Sequence, residues 1–163
     1  MSILRSCSAA LTAGIVAAAA GGCSSGPEDV AAASSSTCAS RAATAPRDVS
    51  FARDVLPLFQ TSCAFGSCHG APGRNGVYLG GRGSDASAIR AELLETSARA
   101  SMPFVTPGEP DRSWLLRKLD GDFCGVTCSG GACGERMPKG GDPLSAPARD
   151  AIAAWIASGA PDN

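Results

Sequence analysis

The sequence predicts a small all-α domain with long glycine-rich connections, and three observations carry that expectation. Four segments place apolar residues at helical spacing between a start signal and a stop signal. No segment alternates apolar and polar residues with the period of two that a half-buried strand requires. Glycine and proline together number 31 of 163 residues, which cuts the chain into short elements joined by turns.

The first helix is expected in DVLPLFQTS, residues 54–62. Asp54 serves there as N-cap, Pro57 falls in the tolerated first turn, and Val55, Leu58 and Phe59 share one face. APGRNG then signals a turn, followed by a short extended piece, VYL. The second helix is SDASAIRAELLETS, residues 84–97, with Ser84 as cap and Ala86, Ile89 and Leu93 on one face; the Ile89/Leu93 pair carries the expectation. The third is PDRSWLLRKL, residues 110–119. Pro110 suits its first position, Gly121 its exit, and Trp114, Leu115 and Leu119 form its stripe. Arg117 and Lys118 stand at the negative end of its dipole. The last is LSAPARDAIAAWIASGAP, with Ser145 as cap, Ile152, Trp155 and Ile156 on one face, and Gly159 and Pro161 ending it.

Ahead of this domain the chain divides twice. Residues 1–22 have the layout of an export signal of lipoprotein type: Arg5 precedes an apolar run over residues 9–20, then small residues lead to Cys23. The run is too short and too rich in alanine for a stable membrane span. Ala20-Gly21-Gly22-Cys23 resembles a bacterial lipoprotein box, so Cys23 is the expected lipid-bearing N-terminus, although Ala20 stands where a larger aliphatic residue is usual. Residues 23–47 are small, polar and without hydrophobic periodicity, as a flexible tether would be, with a root-mean-square reach of about 25 Å. The folded part is expected over residues 48–163. This places the protein outside the cytoplasm, anchored to the membrane of the bacterial envelope.

Net charge is -1, from 14 basic and 15 acidic residues with no basic cluster, so a nucleic-acid partner is not expected. Arginine outnumbers lysine twelve to two, which reads as genome composition. Export places the cysteines in an oxidising setting. Of eight, Cys7 leaves with the signal and Cys23 takes lipid, which leaves Cys38, Cys63, Cys68, Cys124, Cys128 and Cys133. Three disulfides use six cysteines, and so do one haem and two disulfides.

The stretch that poses this choice is CAFGSCHG, residues 63–70, which holds the single histidine, His69. It departs from the haem-attachment signature C-x-x-C-H by having four residues between the cysteines. Residues 64–67 are mostly small and include a glycine, so a bulge that leaves both sulfurs in place is sterically possible, with Phe65 free to pack on a ring edge. A disulfide across the same loop is equally within reach. The motif alone divides evenly between the two.

The runs FARDVLPLFQTSC, CHG, VTPGEPDRSWLLRKLDG and RMPKGGDPLSAPARDAIAAWIASGAP resemble exported bacterial cytochrome c-like domains of the myxobacterial and planctomycete envelope type. The resemblance covers residues 51–161. It implies a small class I cytochrome c-like fold, one covalent haem c, Cys63 and Cys68 as thioether positions, His69 as the proximal iron ligand and Met137 as the distal one. Met102-Pro103 is the weaker candidate for the distal position, because Met137 lies in the loop just before the last helix. The implied role is single-haem electron transfer to a redox partner protein, not an enzyme's. The alternative is a haem-free, disulfide-stapled lipoprotein of the same fold that binds or scaffolds, with Cys63 paired to Cys68.

Two further motifs remain in the sequence. Cys124, Cys128 and Cys133 lie in one loop before Met137; zinc held by these and His69 is disfavoured by export. Two of the three are expected to pair locally, Cys124 with Cys133 being one possibility, while the third reaches Cys38. Gly81-Arg-Gly83-Ser-Asp-Ala86 formally matches a dinucleotide fingerprint but lacks its βαβ setting and reads as a glycine-rich turn.

Overall fold

A computed structural model describes Cys38, residues 47–81 and residues 83–163. The expected export signal over residues 1–22, the expected lipid position Cys23 and the expected tether apart from Cys38 and Arg47 lie outside the described residues. No helix among the described residues is long and apolar enough to cross a membrane.

The first helical segment starts earlier than its apolar spacing suggests. A π-helical turn, Phe51–Val55, runs directly into α1, Leu56–Ser62. Its cap is Ser50, whose hydroxyl accepts from the Arg53 amide while the Asp54 carboxylate accepts from the Ser50 amide at 2.9 Å. This is a reciprocal capping arrangement, so Asp54 closes the cap from inside the helix instead of forming it. The wide turn lies just before Pro57, whose ring cannot sit against the carbonyl four residues back. It also rotates the buried face: Phe51, Val55, Leu56 and Phe59 are buried and Leu58 only partly so.

Helix α2, Ala86–Leu94, is capped by Asp85, whose carboxylate accepts from the Ser87 and Ala88 amides. It buries Ile89 and Leu93 as expected but stops three residues short of Ser97. Its last carbonyls explain why: those of Leu93 and Glu95 accept from the Val105 and Phe104 amides at 2.7 and 2.9 Å. Helix termini need such partners, and the returning chain supplies them. The return forms an antiparallel ladder, β1 Thr96–Ser97 with β2 Met102–Pro103, in the register Thr96 to Pro103 and Ser97 to Met102.

Pro110–Arg112 form a 3-10 turn ahead of α3, Trp114–Asp120. The fully buried Ser113 between them accepts from the Thr106 amide and donates to the Glu109 carbonyl. Gly121 ends α3 with φ 71°, a left-handed exit that favours glycine. Helix α4, Ala146–Ala157, begins at the Ser145 cap and is buried all round over Ile152, Ala153, Ala154, Trp155 and Ile156. The two alanines let neighbouring elements approach where a one-faced helix would carry polar groups. Trp155 stacks on Phe51 at 4.8 Å between ring centroids and donates to the Pro161 carbonyl. An Arg149–Asp120 ion pair at 3.5 Å ties α4 to α3.

The fold class therefore needs correction. Helices of all kinds hold only 39% of the described residues, and a small antiparallel two-stranded sheet accompanies them. This does not support an all-α domain of class I cytochrome c type. The expectation counted helix signals correctly but gave the connections no structure of their own. Glycine and proline confine α1 to α4 to short lengths, and residues 63–81 and 121–145 are built from turns, one 3-10 turn at Ser129–Gly131 and backbone hydrogen bonds. The ladder leaves no sequence pattern, because two residues per strand are too few to show alternation.

Candidate functional site

The candidate site starts where α1 ends. Cys63 leaves the helix with φ -131°, its amide still bonded to the Phe59 carbonyl at 2.8 Å, and its side chain is buried in the core. The chain then turns back on itself. The Cys68 and Gly70 amides donate to the Phe65 carbonyl at 2.8 and 2.9 Å, and the His69 amide donates to the Cys63 carbonyl at 3.2 Å. Gly70 is required for this closure, since a Cβ there would lie 2.3 Å from the Ala64 carbonyl oxygen. The four residues between the cysteines thus form a folded bulge, and Phe65 on it is 54% exposed.

A second segment locks the loop from outside. The Asn75 side-chain amide donates to the Cys68 carbonyl at 2.8 Å and to the Ser67 carbonyl at 3.3 Å. The Leu79 amide donates to the His69 carbonyl at 2.9 Å. The His69 imidazole is fixed by Nδ1, which lies 2.9 Å from the Val77 carbonyl oxygen. A carbonyl only accepts, so Nδ1 carries the hydrogen and Nε2 of the neutral ring keeps its lone pair. Such a contact is the usual outer support of a metal-ligating imidazole. The extended VYL segment therefore has a task that its three residues did not reveal. Asn75, with φ 52°, was missed for the same reason: its role depends on a turn bringing it back seven residues.

The cysteines separate into two kinds. Cys38 is bonded to Cys124 and Cys128 to Cys133, with Cα–Cα distances of 5.5 and 5.1 Å. One local pair and one long link to Cys38 match the expected pattern, but Cys124 takes the long link and Cys128 replaces it in the local pair. Gly130 and Gly131, at φ 74° and 78°, give the intervening segment the tight return that this closure needs. Cys63 and Cys68 are free thiols, the first buried and the second exposed. Burial, reinforced by nearby Cys68, pushes the Cys63 thiol up to about 11 from an ordinary 9.0. Among the described residues, no three histidine, cysteine, aspartate or glutamate side chains form a metal-ion cluster.

Met137 stands on the other long loop, half-buried against the core. Its amide donates to the Lys118 carbonyl at 2.7 Å, and it precedes a cis peptide bond to Pro138. Arg136 packs over Gly121, where a Cβ would lie 3.1 Å from its side chain, and its guanidinium donates to the Gly141 carbonyl. The Lys118 ammonium lies 5.6 Å from the centroid of the Trp114 ring and 5.1 Å from that of Phe123. Burial first, and then the Arg99 guanidinium, hold its pKa below the usual lysine value. Met102, the weaker candidate, lies in β2 and lines a groove of about 550 Å³ with Pro103, Val126 and Cys124.

The donor set at the cysteine loop fits a covalently attached haem: two unpaired thiols flank the bulge, and an imidazole beside the second has one nitrogen oriented and the other available. Hydrogen bonds bring Cys63, Cys68 and His69 into one folded unit, whereas Met137 belongs to a separate loop at the end of α3. Comparison of the chain with protein-family models, with curated proteins and with solved structures finds no match.

Proposed function

We propose that this chain is an exported envelope electron carrier, anchored by lipid at Cys23, with one haem c attached at Cys63 and Cys68. His69 is the proximal iron ligand and Met137 the distal one, and the partner is another redox protein. When bound, haem supplies a one-electron iron couple, whose potential a histidine–methionine pair raises.

The observation that carries this reading is the His69 Nδ1 contact with Val77 inside a loop whose two thiols stay free while the other four described cysteines pair. The chain's own residues divide the work. Cys63 roots one attachment point in the core, and Cys68 offers the other at the surface. Gly70 and Asn75 hold the turn between them, and Val77 keeps the imidazole in one tautomer. The two disulfides stiffen the loop ahead of Met137.

The test is the full chain matured in a host with haem-attachment machinery, followed by haem staining of a denaturing gel and an absorption spectrum. A haem-stained band and a Soret peak are expected, both lost in Cys63→Ser/Cys68→Ser. An unstained band from a host that matures a control c-type cytochrome would overturn the reading, and a Cys63–Cys68 disulfide in that material would establish the haem-free alternative.

A further inference from the structure

The single lysine of α3 makes an unusual set of contacts with the segment that carries Met137. Its ammonium donates to the carbonyls of Cys133 and Glu135, the first at 3.1 Å. Its own carbonyl accepts from the Met137 amide at 2.7 Å. One residue thus touches the segment at positions 133, 135 and 137. The approach is close enough that a Cβ on Gly134, which has φ 78°, would lie 3.4 Å from Nζ. The ammonium is also seated against two tilted rings, Trp114 and Phe123, whose centroids are 5.7 Å apart. These contacts differ in kind but converge on one charge: cation–π attraction fixes where the ammonium sits, and charge-assisted hydrogen bonds fix the backbone to it.

We infer that Lys118 is a positioning residue that sets where the Met137 thioether stands, acting through the carbonyls of Cys133 and Glu135. The inference rests on the proposed role of Met137 for its functional meaning, but the positioning itself is a property of the chain. The geometry explains why a lysine serves here. An arginine fork matches a planar bidentate partner, whereas two carbonyls on a curving backbone suit the three divergent hydrogens of an ammonium. The local disulfide Cys128–Cys133 closes the upstream end of the same segment, so Lys118 completes a support that the disulfide begins.

Two readouts test this, one of which needs no haem. In the full chain with both disulfides intact, amide hydrogen exchange is followed at residues 135–137 in wild type, Lys118→Met and Phe123→Leu. Lys118→Met keeps the apolar stem and removes the charge; Phe123→Leu keeps both hydrogen bonds and removes one ring. Lys118→Met is expected to speed exchange at these amides on the order of tenfold, the effect expected for loss of charge-assisted hydrogen bonds, while amides of α4 are unchanged. Phe123→Leu is expected to give a smaller increase at the same amides. Unchanged exchange at residues 135–137 in both variants would overturn the inference.

In haem-loaded protein, Lys118→Met is expected to weaken the far-red band of thioether-ligated ferric haem and to lower the midpoint potential, with partial recovery in Lys118→Arg. A wild-type band that Met137→Ala abolishes but Lys118→Met leaves intact would also overturn it. Loaded wild-type protein without that band would instead remove Met137 as ligand, and the exchange result would then decide the positioning alone.

Discussion

The two long loops of this protein are stiffened by opposite means. Residues 121–145 are closed by covalent bonds: Cys124 reaches back to Cys38 across 86 residues, and Cys128 and Cys133 close a short ring. Residues 63–81 are closed by hydrogen bonds, through the Phe65, Cys63 and His69 carbonyls, Asn75 and the imidazole of His69. The difference shows where cysteine chemistry is already committed. One loop uses its sulfurs for structure. The other obtains its shape from backbone and glycine, and leaves both sulfurs unbonded.

The comparison can be broken most strongly at the long disulfide. Cross-linking distant residues restricts the unfolded chain more than cross-linking near ones, so Cys38→Ser/Cys124→Ser is expected to cost about 4.5 kcal/mol and Cys128→Ser/Cys133→Ser about 2 kcal/mol in the chain-entropy picture. Urea unfolding of the two double variants checks the ranking. Equal losses, or a larger loss for the short ring, would show that the staples act through native contacts instead.

The hydrogen-bonded loop is expected to fail at Gly70. Gly70→Ala forces a methyl group to within 2.3 Å of the Ala64 carbonyl oxygen, a contact that requires the turn to open. Overpacking of this kind costs about 1–3 kcal/mol, and the upper end is expected because the obstacle is backbone. The same variant should lower haem loading, while Gly66→Ala, which meets open space, should not. Loading that falls equally in both would detach the effect from the Gly70 turn.

A smaller effect separates the buried thiol from its neighbours by pH. The folded-state value for Cys63 is raised to about 11 from an ordinary 9.0, so the unfolded chain loses this proton first. Stability contributed by the protonated thiol is complete below about pH 9 and falls as pH rises through about 11. Melting temperatures of unloaded protein across this window should decline more steeply in wild type than in Cys63→Ala. Parallel curves would place the Cys63 thiol in an environment much like solvent.

Sequence pattern located the helices but not the connections. Ile89 and Leu93, Trp114 and Leu119, and Ile152, Trp155 and Ile156 announced buried faces because helical spacing repeats within a few residues. Ser145 and Gly121 marked their termini by the local chemistry of caps. The first cap lies at Ser50, four residues ahead of Asp54, because the π-helical turn Phe51–Val55 departs from the 3.6-residue spacing on which the apolar pattern rests. The ladder of Thr96–Ser97 with Met102–Pro103 is closed by bonds to the end of α2, and nothing within four residues signals that. The site was legible to the same degree. Cys63, Cys68 and His69 stand together in sequence, but Val77 and Asn75 support the cysteine loop, and Lys118 the separate segment carrying Met137, across turns that no spacing rule reaches. The pairing of Cys124 with Cys38 also depended on tertiary placement.

The most direct measurement is the mass of the peptide containing residues 63–69 from full-length protein purified after maturation with haem-attachment machinery. One haem added to that peptide through both cysteines, with Cys38–Cys124 and Cys128–Cys133 recovered as disulfides, is the expected result. A haem-free peptide with Cys63 joined to Cys68 would contradict the division between committed and available sulfurs.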